Sequence, residues 1–242
     1  MNVLFKINIL ILLLISLNTL KAQRIGIIGG ENIASLVKSD NLIIRSFKGE
    51  IGKEKMRFGY SLGIIINIPL REKLSLESSI LYSTKGNKSE LSTNNGKNSY
   101  LTGYDLFSET QLNYIDIPVN LKISHPLGVV RIFVAIGPYF AIGTKGTVNR
   151  DITFRYYNGR VDQSEDKYDL QLGNSSSDHI KRFDYGVGYR LGVEYNSFQL
   201  GASYSQGLLN IFPNQNVSGA SIKNRVFQVS VAYFLLNRES KK

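Results

Sequence analysis

Residues 183–195 read Phe183-Asp184-Tyr185-Gly186-Val187-Gly188-Tyr189-Arg190-Leu191-Gly192-Val193-Glu194-Tyr195. Every odd position is aromatic or branched aliphatic, and every even position is charged or glycine. A period of two is the pattern of a β-strand whose two faces meet different surroundings. One face of this predicted strand is therefore wholly apolar, and the other mixes charged side chains with the smallest residue.

The same alternation recurs along much of the chain. It predicts strands over 58–68, 74–83, 114–123, 130–142, 198–205 and 227–235, and a weaker strand over 24–32. The apolar faces of the seven clear strands contain no charged residue. A soluble β-sandwich has the reverse arrangement, with a wet outer face and an apolar interior. A barrel that crosses a membrane needs apolar side chains outside and polar side chains inside.

The lengths of the connections between these strands also alternate. The long connections are 33–57, 85–111, 144–182 and 208–224, and the short ones are 69–73, 125–129 and 196–197. Outer-membrane barrels have long loops outside the cell and short turns in the periplasm. The sequence therefore predicts an all-β fold, an eight-stranded antiparallel up-and-down transmembrane β-barrel in the cell outer membrane. Pro118 and Pro138 lie inside predicted strands, where each removes a backbone donor, so we expect a bulge or local kink at both.

Seven charged residues fall on the faces that such a barrel encloses. They are Glu77, Asp116, Lys122, Arg131, Asp184, Arg190 and Glu194. Since an eight-stranded barrel is just wide enough for its own side chains, we expect these four acids and three bases to form a salt-bridged network that fills the lumen. The alternative is a small ion-selective pore lined by the same residues.

The ends of the chain are predicted to lie outside the barrel. Residues 1–22 combine a basic start, an apolar run too short for a good spanning helix, and a small residue before a plausible cut after Ala22. We interpret them as a signal peptide, residues 23–236 as the barrel domain, and residues 237–242 as a short polar tail.

Composition excludes several classes of protein. The 242 residues include no cysteine and only two histidines, which excludes disulfides and thiolate metal sites. The net charge is +10, but the basic residues are scattered, so no nucleic-acid partner is predicted. No cofactor or metal site is expected, and the protein is not predicted to be an enzyme. Asp178 and His179 in the longest connection are the only candidates for an alternative, a hydrolase at the barrel rim.

Three segments carry a resemblance to a known family. Residues 112–122, LNYIDIPVNLK, are similar to the YIEIPLLLK-type strand of the PorT-like outer-membrane β-barrel family of Bacteroidetes. Residues 183–195 and 204–210 resemble later strands of that family. The resemblance spans about residues 23–236 and implies the fold and the outer-membrane location. It implies no catalytic residue, and one branch of the family assists a secretion system.

The long connections are the predicted sites of interaction. Connections well over a dozen residues long are usually functional, and the longest one, 144–182, is the first candidate for a partner site. Besides outer-membrane lipid and lipopolysaccharide, the expected partners are other envelope or secretion proteins. The leading hypothesis is therefore a barrel that displays loops for binding or assembly, and the alternatives are a passive porin-like channel and the rim hydrolase.

Overall fold

The computed structural model describes residues 23–39, 53–94, 100–175, 177–213 and 220–237, so the predicted signal peptide and residues 238–242 of the tail lie outside the described residues. Nine strands make up the regular structure of these ranges. They are β1 (Arg24–Lys38), β2 (Lys53–Pro69), β3 (Leu74–Asn94), β4 (Leu101–Leu127), β5 (Val130–Tyr156), β6 (Val161–Leu170), β7 (Phe183–Tyr195), β8 (Phe198–Gly207) and β9 (Ile222–Asn237). No helix in the described part of the chain is long and apolar enough to span a membrane.

Eight of the nine strands close into a ring. Each of them pairs antiparallel with its neighbours in the order β1-β2-β3-β4-β5-β7-β8-β9, and β9 returns to β1. This confirms the predicted eight-stranded up-and-down barrel. The ninth strand, β6, lies outside the ring, because it pairs only with residues 146–155 of β5, whereas residues 131–142 of β5 pair with β7.

The turns at one end of the barrel are short. Residues 70–73 join β2 to β3, residues 128–129 join β4 to β5, and residues 196–197 join β7 to β8. Gly128 and Asn196 have φ values of +61° and +52°, the left-handed conformation that two-residue hairpin turns require. This end corresponds to the predicted periplasmic side.

The structure corrects the predicted loops at the opposite end. Residues 85–111 were expected to be a loop, but β3 continues to Asn94 and β4 begins at Leu101. The expected loop 144–182 contains the second half of β5 and all of β6. A transmembrane strand needs roughly 9–11 residues, whereas β4 and β5 each have 27. The strands therefore extend beyond the barrel as a sheet, here called the outer sheet. It is formed by residues 53–56 of β2, 86–94 of β3, 101–111 of β4, 147–156 of β5 and all of β6.

The two faces of the barrel wall differ as the alternation predicts. Ile136, Leu191 and Val231 point outward with about half or more of their surface exposed, whereas Glu77 and Lys122 point inward and are each only 1% exposed. Outward apolar side chains suit bilayer hydrocarbon, and a closed ring leaves no unpaired edge within it. The inner face is more apolar than predicted in one place, where Ile28, Ile65, Leu81, Ala232 and Phe234 form a buried cluster.

The bulges expected at the two prolines are absent. The β4–β5 register is the same on both sides of Pro118 and Pro138, although no partners are assigned at Val119 and Asn120. Pro118 is paired with Tyr139, the residue next to Pro138, so the two prolines affect adjacent positions of the ladder without adding a residue to either strand. A register shift occurs instead between Asn113 and Tyr114.

Candidate functional site

A group of charged side chains, here called the lower network, occupies the half of the lumen near the short turns. Lys122 lies at its centre, with its Nζ 2.7 Å from Glu77 Oε2 and also paired with Glu194 Oε1. Arg190 Nη1 lies 2.8 Å from the second oxygen of Glu77, and Arg24 Nη1 lies 3.2 Å from Glu194 Oε2. These five residues come from four strands, β1, β3, β4 and β7, so the network connects opposite walls of the barrel.

Neutral donors complete this network. Gln199 Nε2 donates hydrogen bonds to Glu77 at 2.9 Å and to Glu194 at 3.3 Å, and Gln199 is fully buried. Arg190 Nη2 donates to the hydroxyl of Ser230 at 3.1 Å. Burying an ion is unfavourable unless its charge is paired and its remaining hydrogen-bonding capacity is used. The lower network meets this condition for both carboxylates, so it is a packed and stable obstruction.

A second charged group, here called the upper pair, lies nearer the outer end. Lys85 Nζ is 2.8 Å from Asp116 Oδ1 and only 4.8 Å and 5.0 Å from the ring centres of Tyr114 and Tyr139. Asp184 accepts hydrogen bonds from Asn224 Nδ2 at 2.8 Å and from the Tyr139 hydroxyl at 3.1 Å. The lower network carries one more cation than carboxylates, and the upper pair with Asp184 carries one more carboxylate. The two groups therefore balance each other.

The space between the two charged groups is small. A cavity of about 80 Å³ lies there, lined by Glu77 and Arg190 of the lower network and by Lys85 and Asp116 of the upper pair. Its volume and polar lining suit a few water molecules.

An apolar plug, here called the outer plug, closes the lumen above the upper pair. The two connections fold inward in their described parts, which are residues 170–175, 177–182, 208–213 and 220–222. Ile180 and Ile211 are buried there against inward-facing residues at the ends of the strands. Backbone hydrogen bonds fasten these segments to one another, from Lys181 N–H to Ile211 O at 2.7 Å and from Ile211 N–H to Ile222 O at 2.9 Å. The other members of the cluster are Leu36, Leu112, Tyr114, Tyr139, Ala141 and Ile222.

The structure places the seven predicted lumen residues in three environments. Glu77, Lys122, Arg190 and Glu194 share the lower network, and Asp116 and Asp184 lie at the upper level. Arg131 does not join them: it is exposed at the periplasmic end of β5, and none of the ion pairs among the described residues includes it.

Sequence reasoning missed two lumen cations. Lys85 was assigned to a loop because the apolar alternation stops there. It nevertheless lies on the same face of the strand as Glu77, Ser79 and Ser83, which are buried in the lumen. Extending the predicted strand 74–83 by two residues would have placed Lys85 in the lumen. Arg24, at the start of the weaker strand, was not predicted as part of the network.

Asp178 and His179, the candidates for a rim hydrolase, serve to hold a turn. The Gln171 N–H donates to His179 Nδ1 at 3.0 Å, and the Ser175 N–H donates to Asp178 Oδ2 at 2.7 Å. Neither side chain is hydrogen-bonded to the other or to a hydroxyl nucleophile in the described contacts. Within the described ranges, no three histidine or acidic side chains converge as metal ligands.

The sequence matches the model of one protein family over residues 21–213, and that family is described as "Outer membrane protein beta-barrel domain". The matched range includes every strand from β1 to β8. The chain belongs to this outer-membrane β-barrel family. Its barrel therefore lies in the outer membrane, with the short turns on the periplasmic side and the outer sheet facing away from the cell.

Three solved structures are similar to this chain at low sequence identity. Ail of Yersinia pestis is 10% identical with a TM-score of 0.37, covering 88% of this chain and 98% of that chain. OprG of Pseudomonas aeruginosa is 12% identical with a TM-score of 0.41, covering 88% and 96%. Neisserial surface protein A is 10% identical with a TM-score of 0.36, covering 86% and 96%. No curated protein matches the sequence.

Membership of this family explains the aromatic side chains on the outside of the barrel. Tyr60 and Tyr82 lie 6.2 Å apart between ring centres on the outer half of the wall, and Phe198 and Tyr233 lie 4.9 Å apart near the periplasmic turns. Aromatic rings favour the two membrane–water interfaces, where their apolar faces meet lipid and their polar tips meet water. The distance between the two belts marks the part of the wall that lies in the bilayer.

Proposed function

We propose that this protein is a non-enzymatic outer-membrane barrel whose outer sheet binds other proteins of the envelope or the surroundings. The observation that carries the proposal is the length of β4 and β5. Each has 27 residues, well over twice what is needed to span the bilayer. An ordered sheet held out in water, rather than a set of loose loops, offers a preorganised binding surface.

Cross-strand ion pairs support the role of the outer sheet. Arg57 Nε lies 2.8 Å from Glu109 Oε1, Lys88 Nζ lies 3.4 Å from the second oxygen of Glu109, and Lys55 Nζ lies 2.6 Å from Glu90 Oε1. These contacts tie β2, β3 and β4 together above the membrane. Individually they contribute little, as exposed pairs do, but together they fix the strand register outside the bilayer.

A role in secretion is the finer part of the proposal. The YIDIP segment of residues 114–118 and the strand of residues 183–195 resemble PorT-like barrels, one branch of which assists a secretion system. Two features support an accessory role of this kind: paired charges and apolar side chains occupy the lumen, and the strands extend into an ordered sheet outside the bilayer. Its task would then be to hold a partner at the outer membrane rather than to conduct a solute.

Outer-membrane lipid, lipopolysaccharide included, is the second proposed partner. Lys223 and Arg225 lie on the same outward face of β9 as Phe227, which belongs to the outer aromatic belt. Cations at this level are well placed to meet the phosphates of lipid headgroups. This contact would orient the barrel without giving the protein a specific protein partner.

The test is a barrel without its outermost hairpin. Gly146 and Leu170 are cross-strand partners, so replacing residues 147–169 with an Asn-Gly turn closes the hairpin at a natural position. We expect the shortened barrel to insert normally, shown by the heat-dependent gel mobility of folded barrels. We also expect it to lose the proteins that cross-link to the wild-type outer sheet in native membranes.

The control for this test is His179→Ala, which alters a turn in the predicted loop but leaves the hairpin intact. It should retain both insertion and partners. If the shortened barrel kept the same cross-linked partners as the wild type, the β5–β6 hairpin of the outer sheet would not bind them and the proposal in this form would fail.

A further inference from the structure

The last strand of the outer sheet has a free edge. Among the described residues, all ten residues of β6 pair with β5, and no strand pairs with the other edge of β6. An unpaired strand edge presents a row of backbone donors and acceptors that another chain can use. This edge lies in water, beyond the part of the wall that is embedded in the bilayer.

The hairpin turn fixes which backbone groups of β6 are free. The Tyr156 N–H donates to Arg160 O at 2.9 Å, which makes these two residues a hydrogen-bonded pair of the antiparallel ladder. Hydrogen-bonded and non-bonded pairs alternate, so the even-numbered residues of β6 bond to β5. The odd-numbered residues direct their N–H and C=O groups away from β5, and all of them are exposed: Val161, Gln163, Glu165, Lys167 and Asp169.

The charge of β6 is opposite to that of the whole chain. The strand has four acids, Asp162, Glu165, Asp166 and Asp169, and one base, Lys167, while the chain as a whole carries +10. Two of the acids lie on each face of the strand. Asp162 and Asp169 are close to exposed cations, Arg160 and Lys145, but Glu165 and Asp166 make no ion pair with any described residue.

The edge is held in a defined shape by its neighbours. Arg150 on β5 lies over the ring of Tyr168 on β6, 5.0 Å from its centre, and Tyr100 lies 5.3 Å from Tyr156 between ring centres. Arg155 on β5 is paired with Asp105 on β4. A strand that is already ordered loses little conformational entropy when a further strand is added to it.

We infer that the free edge of β6 is a strand-addition site for a basic, extended segment of a partner protein, an inference that rests on the proposed function and specifies how the outer sheet binds. Main-chain hydrogen bonds supply the pairing, and the acids on both faces of β6 select lysine or arginine at cross-strand positions. A second copy of β6 is a poor occupant, because edge-to-edge pairing of two such strands would bring acids together.

The probe is a synthetic peptide in which lysine alternates with threonine and which is long enough to cover β6. Its binding to the full barrel in neutral detergent micelles is measured by fluorescence anisotropy. Two matched peptides separate the contribution of backbone pairing from that of charge. One has the same sequence with alternate backbone amides methylated, so it keeps its charge but cannot pair as a strand, and the other has glutamate in place of lysine. We expect only the unmodified lysine peptide to bind.

Variants of the edge locate the site. Gln163→Pro removes an N–H that faces water, a change that an edge strand tolerates, and Gln163→Thr is its matched control. Glu165→Lys with Asp169→Lys reverses the charge of one face. We expect the proline and the charge-reversed variants each to weaken peptide binding by about tenfold or more, and Gln163→Thr to bind as the wild type does.

The outcomes separate this inference from the proposed function. Equal binding of the methylated peptide, or unchanged binding by Gln163→Pro, would overturn strand addition. If the hairpin-shortened barrel still lost its native partners in that case, the proposed function would stand without it. Cross-links between two copies that disappear in Gln163→Pro would identify the occupant as a second barrel and would also overturn the inference.

Discussion

At the scale of single residues, Lys122 is the most consequential side chain of the lumen. It is 1% exposed and is paired with both Glu77 and Glu194, so its ammonium group compensates two buried carboxylates at once. Its Nζ also lies 4.4 Å from the ring centre of Phe133. No other described cation contacts both of these carboxylates.

Replacing Lys122 with methionine should therefore destabilise the barrel strongly. The new side chain has a similar length, but it leaves two buried carboxylates with less compensation, a change that costs about 3–5 kcal/mol when one partner of a buried pair is removed. The free energy of unfolding is measured by urea titration in lipid vesicles. Arg131→Met, at the exposed position on β5, should change it by less than about 0.5 kcal/mol. Equal decreases in the free energy of unfolding for the two variants would mean that burial does not determine how much these charged side chains contribute to stability.

At the scale of strands, the outer sheet depends on contacts that cross from one strand to the next. Asp105 on β4 accepts a hydrogen bond from the Ser92 hydroxyl on β3 at 2.6 Å and is paired with Arg155 on β5. It therefore joins three strands at a level well outside the bilayer. The hydrogen bond from Ser92, followed by that from Arg155, lowers the pKa of Asp105 below its ordinary value of 3.8.

A lowered pKa has a definite consequence for stability. The charged form of Asp105 is favoured in the folded sheet, so its contribution is fully present above the ordinary value and is lost as the pH falls through the lowered pKa. We expect an NMR titration in micelles to show the midpoint of the Asp105 carboxyl below 3.8. Arg155→Gln should raise this midpoint toward the ordinary value, while Arg150→Gln should not. A midpoint that is unchanged in Arg155→Gln would exclude the ion pair as a cause.

The strands of the outer sheet also show where prediction from sequence ends. Residues 183–195 were recognised because one face meets lipid and the other meets the lumen, which forces the alternation of apolar and polar residues. In residues 86–94 one face is buried, but its side chains, such as Asn87, Ser89 and Thr93, are mainly polar, so hydrophobic and polar residues do not alternate. Residues 101–111 are partly exposed on both faces. Lys85 was not predicted as a lumen residue because the predicted strand ended at residue 83, although Lys85 lies an even number of residues after Glu77 and so shares its face. The inward-folded plug around Ile211 depends on contacts between distant connections, and no local pattern indicates those.

At the scale of the whole molecule, the barrel has two separate closures. The lower network blocks the periplasmic half with paired charges, and the outer plug blocks the other end with buried apolar side chains such as Ile180 and Ile211. The two closures rely on different forces and on different parts of the chain. Removing one of them therefore leaves the other in place.

Conductance measurements distinguish this arrangement from a passive pore. We expect no current steps from the wild type in planar bilayers, because an eight-stranded barrel filled by its own side chains has no continuous water path. Removing two acids and two bases together, with alanine at Glu77, Lys122, Arg190 and Glu194, keeps the net charge constant and opens only the lower half. Ile180→Ser with Ile211→Ser loosens only the outer plug. Barrels that carry only one of the two sets of substitutions should show no current steps.

The combination of the two sets should conduct, since only then do both obstructions disappear from the same lumen. Folding of each variant is verified first by its heat-dependent gel mobility, so that a silent barrel is not confused with an unfolded one. Steps from the wild type would show that the lumen is open and would favour a channel. Steps from the alanine set alone would show that the outer plug does not seal the barrel. In either case the interior, and not only the outer sheet, would become a candidate for function.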